Sequence, residues 1–203
     1  KGENLILDLI YPNVCGFCKK ISKENICTKC KYELKEFELA KRKRFIDKNF
    51  DEIAFLYRYD GIIRDRIIEY KFNESGYLYK TFSESLLKNK KIVKFIKNYD
   101  IIIPVPIHKK RKNKRGYNQT ELIAKRIGKE LKIEMQTKLL LKQKNTKPQS
   151  TLNGIDRQSN LQNAYILKSE SKLKNKKILL LDDIYTTGNT VNECCKVLQH
   201  GNP

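Results

Sequence analysis

The sequence predicts an α/β fold: a domain built on a parallel sheet in the C-terminal half, preceded by a small four-cysteine module. Three observations lead there. Two Cys-x2-Cys pairs, Cys15/Cys18 and Cys27/Cys30, stand close together near the N-terminus. From residue 99 onward, short apolar runs such as "DIIIP" and "ILLL" alternate with stretches of helical period. Runs with no polar alternation belong to strands buried on both faces, the usual state of a parallel strand. The first and last of these runs then lead into a basic cluster and a small-residue loop, and open α/β sheets bind ligands at the carboxyl ends of their strands.

Residues 1–35 form the first unit. Cys15, Cys18, Cys27 and Cys30 lie within 16 residues, and two such pairs can grip one metal from two tight turns. Four thiolates in tetrahedral array suit Zn²⁺, and so short a segment has too little core to fold without it. With all four positions filled by protein, the site is closed and structural. Redox dithiols are the competing reading.

A connecting region follows over 36–98. "KRKRFIDKNFDE" (41–52) reads as a charged segment and "IAFLYRY" (53–59) as a strand. Gly61 opens a helix with Ile63, Ile67 and Tyr70 on one face; a second carries Leu78, Phe82 and Leu86 at spacing four. The third unit, 99–203, begins with "YDIIIPVP", a strand stopped by Pro104 and Pro106. In "NQTE", Asn118 is the expected N-cap with Glu121 three residues on, a capping box for a helix that turns Ala124, Ile127 and Leu131 inward. "LLLKQ", "AYILK" and "KILLLDD" supply further strands, the last feeding a helix from about Gly188.

Composition narrows the partners. Lys and Arg total 43 against 23 Asp and Glu, a net charge of +20. Such an excess points to polyanions: nucleic acid, an acidic membrane surface or phosphorylated metabolites. Abundant Lys, Ile and Asn could equally reflect nucleotide bias in the genome. No apolar run approaches the ~20 residues of a membrane span, and none resembles a signal peptide. The clustered cysteines, with Cys194 and Cys195 adjacent in an expected helix, suit a reducing cytoplasm rather than a secreted disulfide scaffold.

The chemistry gathers in three segments. Asp182 and Asp183 end the most apolar strand, where paired carboxylates repel and lose hydration unless a metal or a sugar's hydroxyls engage them. "TTGNT" (186–190) leads into a helix N-terminus, where backbone N–H groups and the helix dipole favour a phosphate. The loop after the first strand carries six basic residues among the seven from Lys109 to Arg115, with Arg geometry suited to a diphosphate. Between them, "NTKPQSTLNGIDRQSN" has the composition of a lid or an ordinary loop. One phosphate, vicinal hydroxyls and a diphosphate together describe 5-phosphoribosyl 1-pyrophosphate (PRPP).

Residues 178–190 also resemble the PRPP signature of type I phosphoribosyltransferases. "IIPVPIHKKRKNKRGYNQTELIA", "TKPQSTLNGIDRQSNLQNAY" and the four-cysteine segment together resemble the ComF family of competence proteins (ComFC-like). The resemblance covers nearly the whole chain. It implies a type I phosphoribosyltransferase-like domain with a zinc-ribbon-like module, binding PRPP with Mg²⁺. It implies a cytoplasmic role in natural transformation on incoming single-stranded DNA, beside a ComFA-like translocase and a DprA-like recombination mediator. By the same resemblance Asp182 and Asp183 contact the ribose hydroxyls, and Thr186, Thr187, Gly188, Asn189 and Thr190 hold the 5-phosphate. Lys109, Lys110, Arg111 and Arg115 lie near the pyrophosphate, and Arg157 belongs to the lid.

Two departures stand out. Enzymes of the 6-oxopurine branch carry an aspartate where this chain has Thr186, and a threonine cannot handle that proton at neutral pH. The family's sheet usually gains a strand after the final helix, which "QHGNP" cannot supply, so the domain is expected to be truncated there. No group to activate an acceptor is visible, which leaves catalysis open. Two other functions fit: a metabolic phosphoribosyltransferase without a DNA role, and a non-catalytic binder of single-stranded nucleic acid. The latter would use Lys88–Arg115, where eleven basic residues face one acid.

Overall fold

The computed structural model describes residues 13–72, 75–146 and 161–203, and the chain enters through the cysteine segment. Cys15 to Cys18 form a tight turn closed by the Lys19 N–H donating to the Cys15 carbonyl at 2.8 Å. Cys27 then caps α1 (Thr28–Glu33), its sulfur accepting from the Cys30 N–H. Gly16 brings this module against Thr81. A Cβ on Gly16 would lie 2.1 Å from the Thr81 hydroxyl, so only glycine allows this approach.

β1 (Glu38–Arg44) pairs antiparallel with β2 (Glu52–Tyr57), Lys41 opposite Phe55 and Arg44 opposite Glu52. β1 falls largely in the stretch read from sequence as a charged connection. Its long side chains reconcile charge with a strand: the Arg42 guanidinium lies 5.0 Å from the Phe95 ring centre and pairs with Glu52, covering apolar surface while its head stays hydrated. α2 (Gly61–Phe72) buries Ile63, Ile67 and Tyr70, as the period of its sequence requires. α3 (Tyr79–Lys88) and α4 (Lys90–Ile96) complete this part, α4 capped by Asn89 accepting from the Ile92 N–H at 3.1 Å.

β3 (Ile101–Pro104) is buried throughout, and its isoleucines divide between two cores. Ile102 packs with the cysteine module, α2–α4 and the helix after Asn118; Ile101 and Ile103 pack with the C-terminal segments on the other face. Residues of period two on a two-sided sheet do this. α5 (Lys109–Arg115) follows, then α6 (Gln119–Leu131), β4 (Glu134–Met135), β5 (Leu140–Lys142), β6 (Tyr165–Leu167), β7 (Ile178–Leu181) and α7 (Asn189–Gln199).

The parallel sheet has three strands in the order β4-β3-β7, with Ile101 opposite Ile178 and Pro104 opposite Leu181. β5 and β6 are strands, as the sequence indicates, but they pair antiparallel with each other as a separate ribbon. Their apolar runs look the same in either arrangement, because alternation reports burial and not the partner strand. α6 begins as expected at Asn118, which accepts from the Thr120 N–H at 3.2 Å. Glu121, expected to close the capping box, pairs instead with Lys112 at 2.7 Å. Among the described residues no helix is long and apolar enough to cross a membrane.

Candidate ligand cleft and cysteine cluster

β3 and β7 end side by side, and the Val105 N–H donates to the Leu181 carbonyl at 2.8 Å. The segments leaving the two strands therefore share one mouth. A cleft of about 820 Å³ opens there, lined by Asp182, Asp183, Thr186–Val191, Arg111, Lys114 and Arg115, with Lys71 and Lys142. Asp182, Asp183, Thr186, Thr187, Gly188, Asn189, Thr190, Arg111 and Arg115, the candidates of the sequence, are thus brought together around one space. Lys109 and Lys110 are exposed and do not line it. Arg157 lies outside the described residues.

The basic segment is a helix, not the loop its composition suggested. His108 caps α5 by accepting from the Lys110 N–H at 3.2 Å, and Gly116 ends it with a left-handed φ of 83°. Lys and Arg are good helix formers and glycine is the usual left-handed terminator, so the signal was present but obscured by charge. The turn after α5 is tied to β3: Asn118 Nδ2 and the Thr120 hydroxyl both donate to the Val105 carbonyl, at 3.1 and 2.8 Å. Tyr117 stacks on Tyr70 with ring centres 5.6 Å apart and donates its hydroxyl to the Tyr70 carbonyl.

Gly188 precedes α7 with φ 79°, and a Cβ there would lie 2.6 Å from the Tyr185 hydroxyl. Among the described residues no side chain caps α7, and the Thr186–Thr190 turn at its start lines the cleft.

The two carboxylates are unequal. Asp183 Oδ1 pairs with the Lys71 ammonium at 2.8 Å, and Oδ2 accepts from Gln119 Nε2 at 2.8 Å. Arg115 in turn donates to the Gln119 side-chain oxygen. Asp182 accepts the Asp183 N–H at 2.9 Å; among the described residues it forms no ion pair. Burial, and then the charge of Asp183, push the Asp182 carboxyl up to about 7. Lys142 on β5, 5.1 Å from the Tyr165 ring centre, is pushed down to about 8 by burial and by Arg111. Lys71, Gln119 and Lys142 were not among the residues that the sequence singled out. Gln119 stands inside the "RGYNQ" motif; nothing local marks the two lysines.

The four cysteine sulfurs lie within 4.8 Å of one another. The Cys18 and Cys27 sulfurs are 3.7 Å apart, against about 3.8 Å for the edge of a tetrahedron with 2.3 Å Zn–S bonds. Burial opposes ionisation of Cys15, but the N–H groups of Cys18, Cys27 and Phe17 prevail and bring it down to about 7. An all-thiol donor set with one thiol poised to ionise fits zinc. All six cysteines are free thiols, and the adjacent pair on α7 divides as helix geometry requires, Cys194 inward and Cys195 half-buried.

Comparison with known proteins agrees with this layout. Residues 115–203 match the family of the phosphoribosyl transferase domain. The chain is 27% identical to competence protein F of Haemophilus influenzae over 91% of its own length and 90% of that protein's. It is 31% identical to competence protein ComFC of Streptococcus pneumoniae over 71% of this chain and 60% of that one. With the DNA utilization protein YhgH of Escherichia coli O157:H7 it shares 31% identity over 49% of this chain and 43% of that protein. No solved structure matches the chain. A matched phosphoribosyl transferase domain with a four-cysteine cluster ahead of it marks the chain as a homologue of competence proteins F and ComFC.

Proposed function

We propose that this protein binds PRPP with Mg²⁺ in the cleft at the ends of β3 and β7 and serves natural competence by handling incoming single-stranded DNA. The relatives supply the process: two carry the name competence protein and a third DNA utilization protein. The observation that carries the ligand is convergence. A carboxylate lacking an ion-pair partner among the described residues, the uncapped N-terminus of α7 and two arginines of α5 face one space of about 820 Å³. These are the groups that a sugar hydroxyl, a monophosphate and a diphosphate need.

In this reading the Thr186–Thr190 turn holds the 5-phosphate, Asp182 faces the ribose, and Arg111 and Arg115 take the pyrophosphate. Asp182 would hold Mg²⁺ together with the ligand, and the ion would neutralise charge on the diphosphate. If transfer occurs, pyrophosphate leaves C1 as positive charge grows on the ring, so the protein's share is positioning and stabilisation of the leaving group. The cysteine cluster would hold Zn²⁺ as a structural clip. Exposed Lys109 and Lys110 on α5, which do not line the cleft, favour DNA on the outer face of the same helix.

Thermal shift tests the ligand. A ligand bound only by the folded state raises the melting temperature with its concentration over Kd. PRPP with Mg²⁺ should raise it more than ribose 5-phosphate, and Asp182→Asn should reduce the response to both, since both present the ribose hydroxyls. Equal responses to the two ligands would end the PRPP reading. A single-stranded DNA titration in rising salt tests the rest.

A further inference from the structure

Lys71 precedes the matched segment 115–203, yet its side chain ends inside the cleft. Its ammonium meets Asp183 at 2.8 Å, with side-chain exposures of 20% for the lysine and 6% for the aspartate. Asp183 has its second oxygen on Gln119, and Gln119 holds Arg115. One buried carboxylate therefore draws two cations to one wall, Lys71 from α2 and, through Gln119, Arg115 from α5. Displacing Lys71 from Asp183 would strand a buried charge, which is strongly unfavourable. An ammonium carries three N–H donors and Asp183 takes one. Among the described residues no other partner takes the remaining two, which can meet an oxyanion in the cleft, and a lysine already fixed by its ion pair loses little rotamer freedom on binding.

We infer that Asp183 is a positioning residue and Lys71 a binding residue for a diphosphate group of the ligand, which leaves Asp182 as the carboxylate for the ligand's hydroxyls or their metal. This rests on the phosphoribosyl reading above and deepens it. The two carboxylates, adjacent in sequence, do different things. One organises cations of the protein and the other meets the ligand.

The test compares inorganic pyrophosphate, ribose 5-phosphate and PRPP, each with Mg²⁺, by calorimetric titration of the full chain. The variants are Lys71→Met, Lys71→Arg and the double variant Lys71→Met with Asp183→Asn. Lys71→Met should weaken pyrophosphate and PRPP on the order of tenfold or more, as for a lost charge-assisted contact, and leave ribose 5-phosphate unchanged. Lys71→Arg should keep most of the affinity. Lys71→Met alone leaves Asp183 without its cation and lowers stability, so the double variant, uncharged at both positions, is the control. It should regain the melting temperature but not the pyrophosphate affinity.

Wild-type pyrophosphate affinity in the double variant would overturn the inference. So would an equal loss for ribose 5-phosphate, which would mark Lys71 as merely structural. If the wild type binds pyrophosphate but not PRPP, the sugar reading falls while the same comparison still decides Lys71. A wild type that binds neither overturns both.

Discussion

The Lys71 ammonium and the Asp183 carboxylate meet at 2.8 Å, bringing the end of α2 against the end of β7. The adjacent Asp182 has no such cation among the described residues and is pushed up to about 7. Neutralising the two acids should therefore act in opposite directions. Asp183→Asn removes the countercharge of the half-buried Lys71 ammonium and should destabilise on the order of 2 kcal/mol. Asp182→Asn removes a carboxylate that is unfavourable when charged and should raise the melting temperature near neutral pH. Differential scanning fluorimetry of the two single variants checks this; shifts of the same sign would contradict the unequal roles.

The pH dependence has its source in the same group. Asp182 has a folded value of about 7, raised from 3.8. Such a group favours folding fully below the lower value and loses that contribution as pH rises through the upper one. Wild-type stability should fall across this window, and Asp182→Asn should flatten the fall. Melting curves taken at intervals across it, wild type against variant, measure the difference.

Lys142 gives a binding counterpart. Its amine, pushed down to about 8, carries a proton below that pH and sheds it above. Pyrophosphate affinity should decline as pH rises through about 8, with proton uptake on binding, and Lys142→Met should remove both effects. Titration in buffers of differing ionisation enthalpy reports the proton directly.

At the other end of the molecule, Gly16→Ala should loosen the cysteine module, since its Cβ would lie 2.1 Å from the Thr81 hydroxyl. Replacing Cys27 and Cys30 by Ser should release bound zinc and unfold the module. Elemental analysis under reducing conditions, with limited proteolysis, separates these outcomes: the glycine variant keeps metal while gaining cleavage, and the cysteine variant loses metal.

For DNA, reversing the charge of Lys109 and Lys110 should weaken single-strand binding evenly across sequences and reduce its salt slope. These two are exposed and outside the cleft, so PRPP affinity should hold. Lys112 is a poorer probe because it pairs with Glu121 at 2.7 Å. An anisotropy titration in rising salt that shows no slope would remove α5 from the account.

Much of the fold was legible where one side-chain property decided one element. "IIIP" and "ILLL" announced strands, the first buried throughout and the second only half-buried apart from Leu179; Asn118 announced α6, and the cysteine spacing announced its own cluster. Charge hid β1 and α5, because lysine and arginine can lie along apolar surface or on a helix while keeping their heads in water. Partner choice was not legible at all. The pairing of β5 with β6, and of Lys71 with Asp183, depends on where the chain returns, and no local pattern encodes that.

Phe17 sets its ring against Phe82 at 6.1 Å, Phe82 lies 5.6 Å from Tyr70, and Tyr70 donates its hydroxyl to the Gln119 carbonyl at 2.8 Å. Gln119 is the residue that holds Asp183. A fragment trimmed to the matched residues 115–203 would lack Phe17, Tyr70, Lys71 and Phe82. It would carry the signature motif and leave Asp183 without its cation. Measurements on such a fragment would describe a different binding surface, and a negative result from it would say nothing about the whole chain.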